Sequence, residues 1–267
     1  MRLIKTSDLD RNRNYLLCSH PHGVLSAGAF ACFGTNGANV SKVRPPVAPD
    51  QVLCSAQLLN CCCGQVYPGL EPHLLTLPQM FFIPFFRELW SWSGACSASR
   101  AGLLHLLSQP GGQLPVLVPG GAEEALNCDR EEVRLVLSRR KGFIKLALIT
   151  GTSLLPSFTF GENKIYTKLD NPEGSWIRSF QDWAQKWFGF APVLFLGRGI
   201  FNYNLGILPH RKPLTVVVGS PIKVEKMPNP TREDIEALHR KYVEALTALY
   251  NENNCLYGDM TVKLVIT

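Results

Sequence analysis

The chain has 267 residues, 46% apolar and 18% charged, which excludes a disordered or low-complexity segment and is enough to bury one core. Twenty-seven Lys and Arg against 21 Asp and Glu give a net charge of +6, suited to an anionic surface or substrate, with no dense basic run of the nucleic-acid-binding kind. Nine cysteines, three of them adjacent at Cys61, Cys62 and Cys63 and none in a CxxC pair, do not make a secreted disulfide framework and read as mostly reduced in a cytosol-facing protein.

Met1 to Lys5 carries charge with no apolar stretch behind it, so no secretory signal is expected, and no 18-residue apolar run exists to span a bilayer as a simple helix. Tyr15 to Cys18 reads as a strand, and His20-Pro21-His22-Gly23 follows where it would emerge. Pro21 restricts the backbone and Gly23 releases it, so the turn can hold two imidazoles at the strand end. Imidazole is the usual proton acceptor near neutral pH, which makes His20 and His22 candidate catalytic bases. Neither has a Cys or carboxylate at zinc spacing, so no metal is expected.

Residues 36–51, rich in Gly, Pro and Asn, predict a long loop. Leu74 to Phe86 is dense in Leu and Phe but broken by prolines. It reads as ordinary core, as the wall of a substrate tunnel, or as a segment dipping into one leaflet. Arg100 to Ser108 predicts a short helix with Leu103, Leu104 and Leu107 on one face, and Leu114 to Val118 the next strand.

Val118-Pro119-Gly120-Gly121-Ala122-Glu123-Glu124-Ala125-Leu126 then turns on two glycines and presents paired carboxylates at a helix start. The two glycines let the backbone N–H groups around Gly120 and Gly121 approach a ligand closely. A carboxylate beside an imidazole fixes its tautomer, so one of this pair could partner a histidine; the alternative is that Glu123 and Glu124 only cap the helix. Arg139, Arg140 and Lys141 precede the next helix, Lys141 to Thr150, where they oppose its dipole unless an anion such as a phosphate sits between them. A solvated charged turn is the other reading.

Further on, Leu154 to Phe160 predicts a strand. Ser175 to Phe188 predicts a helix with Trp176, Phe180, Trp183 and Trp187 in a stripe that suits core packing or membrane contact. Short strands follow at Val193 to Leu196 and Thr215 to Gly219. Thr231 to Tyr250 predicts the cleanest helix, with Thr231 and Asp234 as a capping box. Alternating strands and helices favour a single α/β domain over residues 1–267, with a partly parallel central sheet flanked by helices. The absence of GxSxG, GxGxxG and GxxxxGK[ST] gives no support to a hydrolase elbow or to dinucleotide or P-loop binding, and no cofactor is expected.

Taken together, these motifs resemble the type-2 diacylglycerol acyltransferase family, which includes monoacylglycerol and wax alcohol acyltransferases. The matching residues are Leu3-Ile4-Lys5-Thr6, Asn14-Tyr15, His20-Pro21-His22-Gly23, Gly120-Gly121-Ala122, Glu124-Ala125-Leu126, Arg140-Lys141-Gly142-Phe143, Phe160-Gly161-Glu162-Asn163, Gly197-Arg198-Gly199 and Val217-Val218-Gly219-Ser220-Pro221-Ile222. The resemblance implies transfer of a fatty acyl group from acyl-CoA to the hydroxyl of an acylglycerol or long-chain alcohol. It also implies a glycerolipid-acyltransferase-like fold, a place on the cytosolic face of the endoplasmic reticulum membrane or on lipid droplets, and association with itself or other family members.

Glycerolipid acyltransferases of the wider group use a histidine followed five residues later by aspartate. Here those positions are Leu25 and Ala27, so the resemblance points to Glu124 as the carboxylate. Members also carry a hydrophobic hairpin ahead of the catalytic block. This sequence starts just upstream of that block and is expected to lack the hairpin. The expected chemistry has His22, ahead of His20, as general base, Gly120 and Gly121 at the oxyanion, and Arg139, Arg140 and Lys141 on the coenzyme A phosphates. An acyl-CoA or ester hydrolase and an inactive lipid- or partner-binding relative are the alternatives.

Overall fold

A computed structural model describes residues 1–34, 66–82, 84–92, 94–126, 132–168, 175, 176, 179, 183, 195–199, 206, 208–259 and 261–267. Its centre is a seven-stranded sheet in the order β1-β10-β7-β2-β5-β3-β4. These strands are Arg2–Lys5 (β1), Tyr15–His20 (β2), Glu71–Thr76 (β3), Cys96–Ser97 (β4), Gln113–Leu117 (β5), Ser153–Phe160 (β7) and Thr215–Val218 (β10). All neighbours run parallel except β7 and β10. Two small pairs stand apart: β6 (Glu132–Leu135) parallel to β11 (Lys263–Ile266), and β8 (Thr167–Lys168) antiparallel to β9 (Phe195–Leu196). The mixed α/β, mostly parallel architecture is the one expected from the alternation of elements.

β2 is buried along its whole length, as a strand covered on both sides must be. Its residues therefore alternate between two apolar layers. Leu16 and Cys18 face the layer containing Phe143, Ile144, Phe158, Tyr242 and Leu246. Tyr15 and Leu17 face the layer containing Ala29, Cys32, Phe33, Leu155 and Val216. The first layer is closed by α3 (Arg100–Leu107), α5 (Gly142–Thr150) and α6 (Arg232–Tyr257). The second is closed by α1 (Ala27–Ala29) and the wide turn Phe30–Gly34 that continues it.

The long helix α6 starts as expected. The Thr231 hydroxyl accepts the Asp234 N–H at 3.2 Å while the Asp234 carboxylate accepts the Thr231 N–H at 2.9 Å. Leu238, Tyr242, Leu246, Leu249 and Tyr250 then share its buried face, and the helix runs on to Tyr257. β2, β5 and β7 each extend beyond the predicted spans by one to two residues at one end. β1, β3, β4, β6, β8 and β11 are additional to the expected strands, all but β3 being two to four residues long.

The Leu-and-Phe-rich segment divides. Leu74 and Leu75 lie in the core on β3, whereas Phe82 and Phe85 are 83% and 87% exposed beyond a turn at Pro78–Phe81. Between them and the core, Trp90 on α2 (Phe86–Trp92) meets Phe30 edge-on at 6.1 Å. Of the expected aromatic helix, only 175, 176, 179 and 183 are described; Trp176 and Trp183 are exposed. Phe180, Trp187 and the expected loop at 36–51 lie outside the described residues. No helix among the described residues is long and apolar enough to cross a membrane.

Candidate active site

β2 ends at His20, and the chain passes through a cis His20–Pro21 peptide into His22 and Gly23. Strand alternation alone would leave residues 20 and 22 on one face, but β2 stops at His20 and the turn that follows takes His22 into different surroundings. His20 is fully buried in the α6 layer, where its Nε2 lies 2.9 Å from the phenol oxygen of Tyr242. Burial pushes its pKa down to about 3, so it is neutral across the physiological range. Its Nδ1 has no hydrogen-bond partner.

His22 is half-buried. Its Nδ1 lies 3.0 Å from the Gly23 carbonyl oxygen. A carbonyl only accepts, so Nδ1 carries the proton and Nε2 presents a lone pair. Burial lowers the His22 pKa, and the bond to Gly23 opposes that shift in part. The ring is therefore neutral, with one nitrogen ready to take a proton. Each candidate base keeps one ring nitrogen without a protein partner among the described residues, but that of His20 is sealed in the core whereas His22 is only half-buried.

Glu124 belongs to α4 (Gly121–Leu126), which follows the diglycine bend after β5. It is buried, and its carboxylate joins two segments. Oε2 accepts the backbone N–H of His22 at 2.8 Å, and Oε1 accepts that of Val136 at 2.8 Å. The structure thus brings Glu124 to His22 as expected, but through the main chain. The imidazole tautomer is set by Gly23, and Glu124 fixes where the loop sits. Desolvation raises the Glu124 pKa against the two N–H bonds and the nearby Arg140 charge.

Gly120 is explained by the same carboxylate, since a Cβ there would overlap the carboxyl group of Glu124. Gly121 opens the helix at φ +63°, in the left-handed region where glycine is favoured, and a Cβ on it would lie 3.9 Å from Arg140 Nη2. Around this bend the three candidate cations stand apart. Arg139 pairs with Glu123 at 2.6 Å, Arg140 approaches the same carboxylate at 3.8 Å, and Lys141 reaches Glu236 at 3.5 Å. Arg139 and Arg140 flank the diglycine bend, while Lys141 turns toward α6.

One residue of this cluster has no role in the sequence reading. Glu162, in the Phe160-Gly161-Glu162-Asn163 stretch after β7, is buried and accepts the N–H groups of Ala27 at 2.6 Å and Gly28 at 2.8 Å. Desolvation raises its pKa to about 7 despite those bonds. A charged residue one glycine beyond an unbroken buried strand, inside a stretch that matches the family, is the signal in the sequence for such a contact.

A family model described as diacylglycerol acyltransferase matches residues 1–60 and 48–267. The chain is 43% identical over 259 residues to 2-acylglycerol O-acyltransferase 1 of Bos taurus, covering 97% of this chain and 70% of that protein. It is 42% identical over 255 residues to diacylglycerol O-acyltransferase 2 of Dictyostelium discoideum, covering 95% and 70%. Against diacylglycerol O-acyltransferase 2 of Homo sapiens the identity is 38% over 260 residues, covering 97% and 61%. No solved structure matches the chain.

Proposed function

This chain belongs to the diacylglycerol acyltransferase family, and on that footing we propose that it moves a fatty acyl group from acyl-CoA to the free hydroxyl of a mono- or diacylglycerol. His22 is the general base. The observation that carries this reading is the Nδ1–H bond to Gly23, which leaves Nε2 of a neutral ring as a proton acceptor.

In the proposed step the acceptor hydroxyl donates to His22 Nε2. As its oxygen bonds to the thioester carbonyl carbon, the proton passes to Nε2, a transfer worth roughly 10²–10⁴ in rate. The carbonyl π pair moves onto oxygen, and backbone N–H groups at Gly120 and Gly121 face that developing charge. Collapse re-forms the carbonyl, breaks the C–S bond and expels the coenzyme A thiolate, which recovers the proton from the imidazolium. Glu124 holds the His22 main chain in place throughout. Arg139 and Arg140, both exposed and both on Glu123, exchange that partner for coenzyme A phosphate, with Lys141 nearby.

Exposed Phe82, Phe85 and Trp176 support contact with a membrane or droplet surface, which is where a water-insoluble acceptor is met. The proposed location is the cytosolic face of the endoplasmic reticulum. The test is an acceptor panel. Membranes holding the chain receive labelled oleoyl-CoA with monoacylglycerol, diacylglycerol or a long-chain alcohol in parallel. Ester formed with an acylglycerol, and lost in His22→Ala, supports the reading. Free fatty acid at a rate indifferent to acceptor makes the chain a hydrolase, and lipid binding without turnover makes it an inactive relative.

A further inference from the structure

We propose that Glu162 is a positioning residue for His22, holding the main chain on the far side of the His-Pro-His-Gly turn as Glu124 holds the near side. The inference rests on His22 being the base. Two buried glutamates from different elements bracket one short loop. Glu124, on α4, takes the N–H of His22; Glu162, after β7, takes those of Ala27 and Gly28, where α1 begins. Between the two clamps lie Gly23, whose carbonyl holds the imidazole, and Ser26, whose N–H and hydroxyl both donate to the His22 carbonyl, at 2.8 and 3.0 Å.

Glu162 also reaches the imidazole's own partner. Gly23 adopts φ +56°, and a Cβ on it would come within 2.5 Å of Glu162 Cγ. The Glu162 stem therefore packs directly against the residue whose carbonyl fixes the His22 tautomer. On the other side, a Cβ on Gly28 would overlap the Thr159 methyl first and lie 2.9 Å from both Glu162 Oε2 and Thr159 Oγ1. Glycine at 23 makes room for the Glu162 side chain, and glycine at 28 for Thr159 and the Glu162 carboxylate together. A buried carboxylate that only filled space would be costlier than a leucine or methionine of similar size. What Glu162 offers that they lack is two acceptors for two N–H groups at a helix start that no side chain caps. The titratable groups around the cluster are Glu124 at the His22 N–H, Arg140 near Glu124, and Tyr166, whose phenol is pushed up by burial first and then by the Glu162 charge.

The test compares E162Q and E162D in the full chain by thermal unfolding, by kcat and KM for the acylglycerol, and by the pH profile of kcat. Glutamine keeps the volume but replaces one acceptor by an NH2 group facing a backbone N–H. Aspartate keeps both acceptors but withdraws the stem from Gly23. For folded E162Q, kcat falls about tenfold or more with KM within about twofold. The acid limb of the kcat profile moves to lower pH, because slackening the Gly23 bond removes what raises the His22 pKa. E162Q added to H22A lowers the residual rate no further, since both changes act on one imidazole.

If E162Q does not fold, E162D is read in the same way. A folded variant with kcat within about twofold of wild type and an unmoved acid limb overturns the proposal, as does multiplicative loss with H22A. Failure of both variants to fold overturns it too, because Glu162 is then a residue of the core and nothing more. H22A alone separates the two readings. Full activity in H22A removes His22 as base whatever E162Q does, whereas an inactive H22A beside an unaffected E162Q removes Glu162 only.

Discussion

Tyr242 reaches from α6 to the end of the central strand and places its phenol oxygen 2.9 Å from His20 Nε2, inside the apolar layer. The contact ties α6, the longest helix among the described residues, to the strand that carries the candidate site. Among the described residues it is also the sole hydrogen bond of the His20 ring, since Nδ1 has none. Tyr242→Phe therefore strands a buried imidazole and should cost about 1–3 kcal/mol. The expected outcome is a lowered melting temperature, read by thermal shift, with kcat of the folded protein changed by less than about tenfold. A larger fall in kcat at unchanged stability would place His20 in the chemistry.

His22→Ala should show the opposite pattern. The half-buried ring gives up one bond to Gly23, so folding changes little, while loss of the base lowers the rate by roughly 10²–10⁴. Steady-state turnover of labelled acyl-CoA alongside a melting curve checks both halves. Near wild-type turnover would remove His22 from the mechanism.

How much of this was legible beforehand follows from where each signal resides. β2 could be read because a strand covered on both faces is an unbroken apolar run, and α6 because its capping box and apolar face are local. Arg2–Lys5 could not, since it is a strand only through parallel pairing with Thr215–Val218, more than 200 residues away. The histidine pair was visible as a motif, but two residues of spacing do not show that one ring enters the core and the other stays at its edge. The paired carboxylates were visible as well. That Glu124 grips a main-chain N–H, and that Glu162 does the same 134 and 135 residues from its partners, exists only in the folded chain.

Gly120 and Glu124 form one unit in that folded chain. A Cβ on Gly120 would overlap the Glu124 carboxyl, so Gly120→Ala must displace it and free the N–H groups of His22 and Val136. Glu124→Ala frees the same two groups. Each variant should lose about 1–3 kcal/mol or more and a large part of its activity. The double variant should be no worse than the poorer single one, because both act on one carboxylate. Additive losses in unfolding free energy would show that Gly120 serves something other than Glu124.

Arg139 and Arg140 are exposed and share Glu123, so an incoming phosphate competes with a single carboxylate. Removing Glu123 as Glu123→Gln should lower KM for acyl-CoA, and removing Arg140 as Arg140→Ala should raise it severalfold, with kcat little changed in both. Added salt should weaken binding to the wild type more than to Arg140→Ala, since an exposed charge contact is screened. Initial rates across acyl-CoA concentration at two ionic strengths check this, and an unmoved KM in Arg140→Ala would take Arg140 out of the coenzyme site.

The pH dependence of stability separates the two buried groups that titrate abnormally. His20 is held down at about 3, so below its ordinary 6.5 the unfolded chain binds a proton that the folded one does not, and stability falls as pH drops from about 6.5 toward 3. Glu162 has the opposite sign. With its pKa raised to about 7 from 4.5, the folded chain holds the extra proton, so its contribution is full below about 4.5 and declines as pH rises through 7. Between those limits the two slopes oppose each other and conceal one another in the wild type. Glu162→Gln cannot titrate, so the difference in unfolding free energy between wild type and variant isolates the glutamate. That difference should shift against the wild type by about 3 kcal/mol in all between pH 4.5 and 7, at up to about 1.4 kcal/mol per pH unit. Urea unfolding at half-unit steps measures it. A difference independent of pH would mean that Glu162 keeps its ordinary acidity, and that its two N–H donors hold it as a carboxylate throughout.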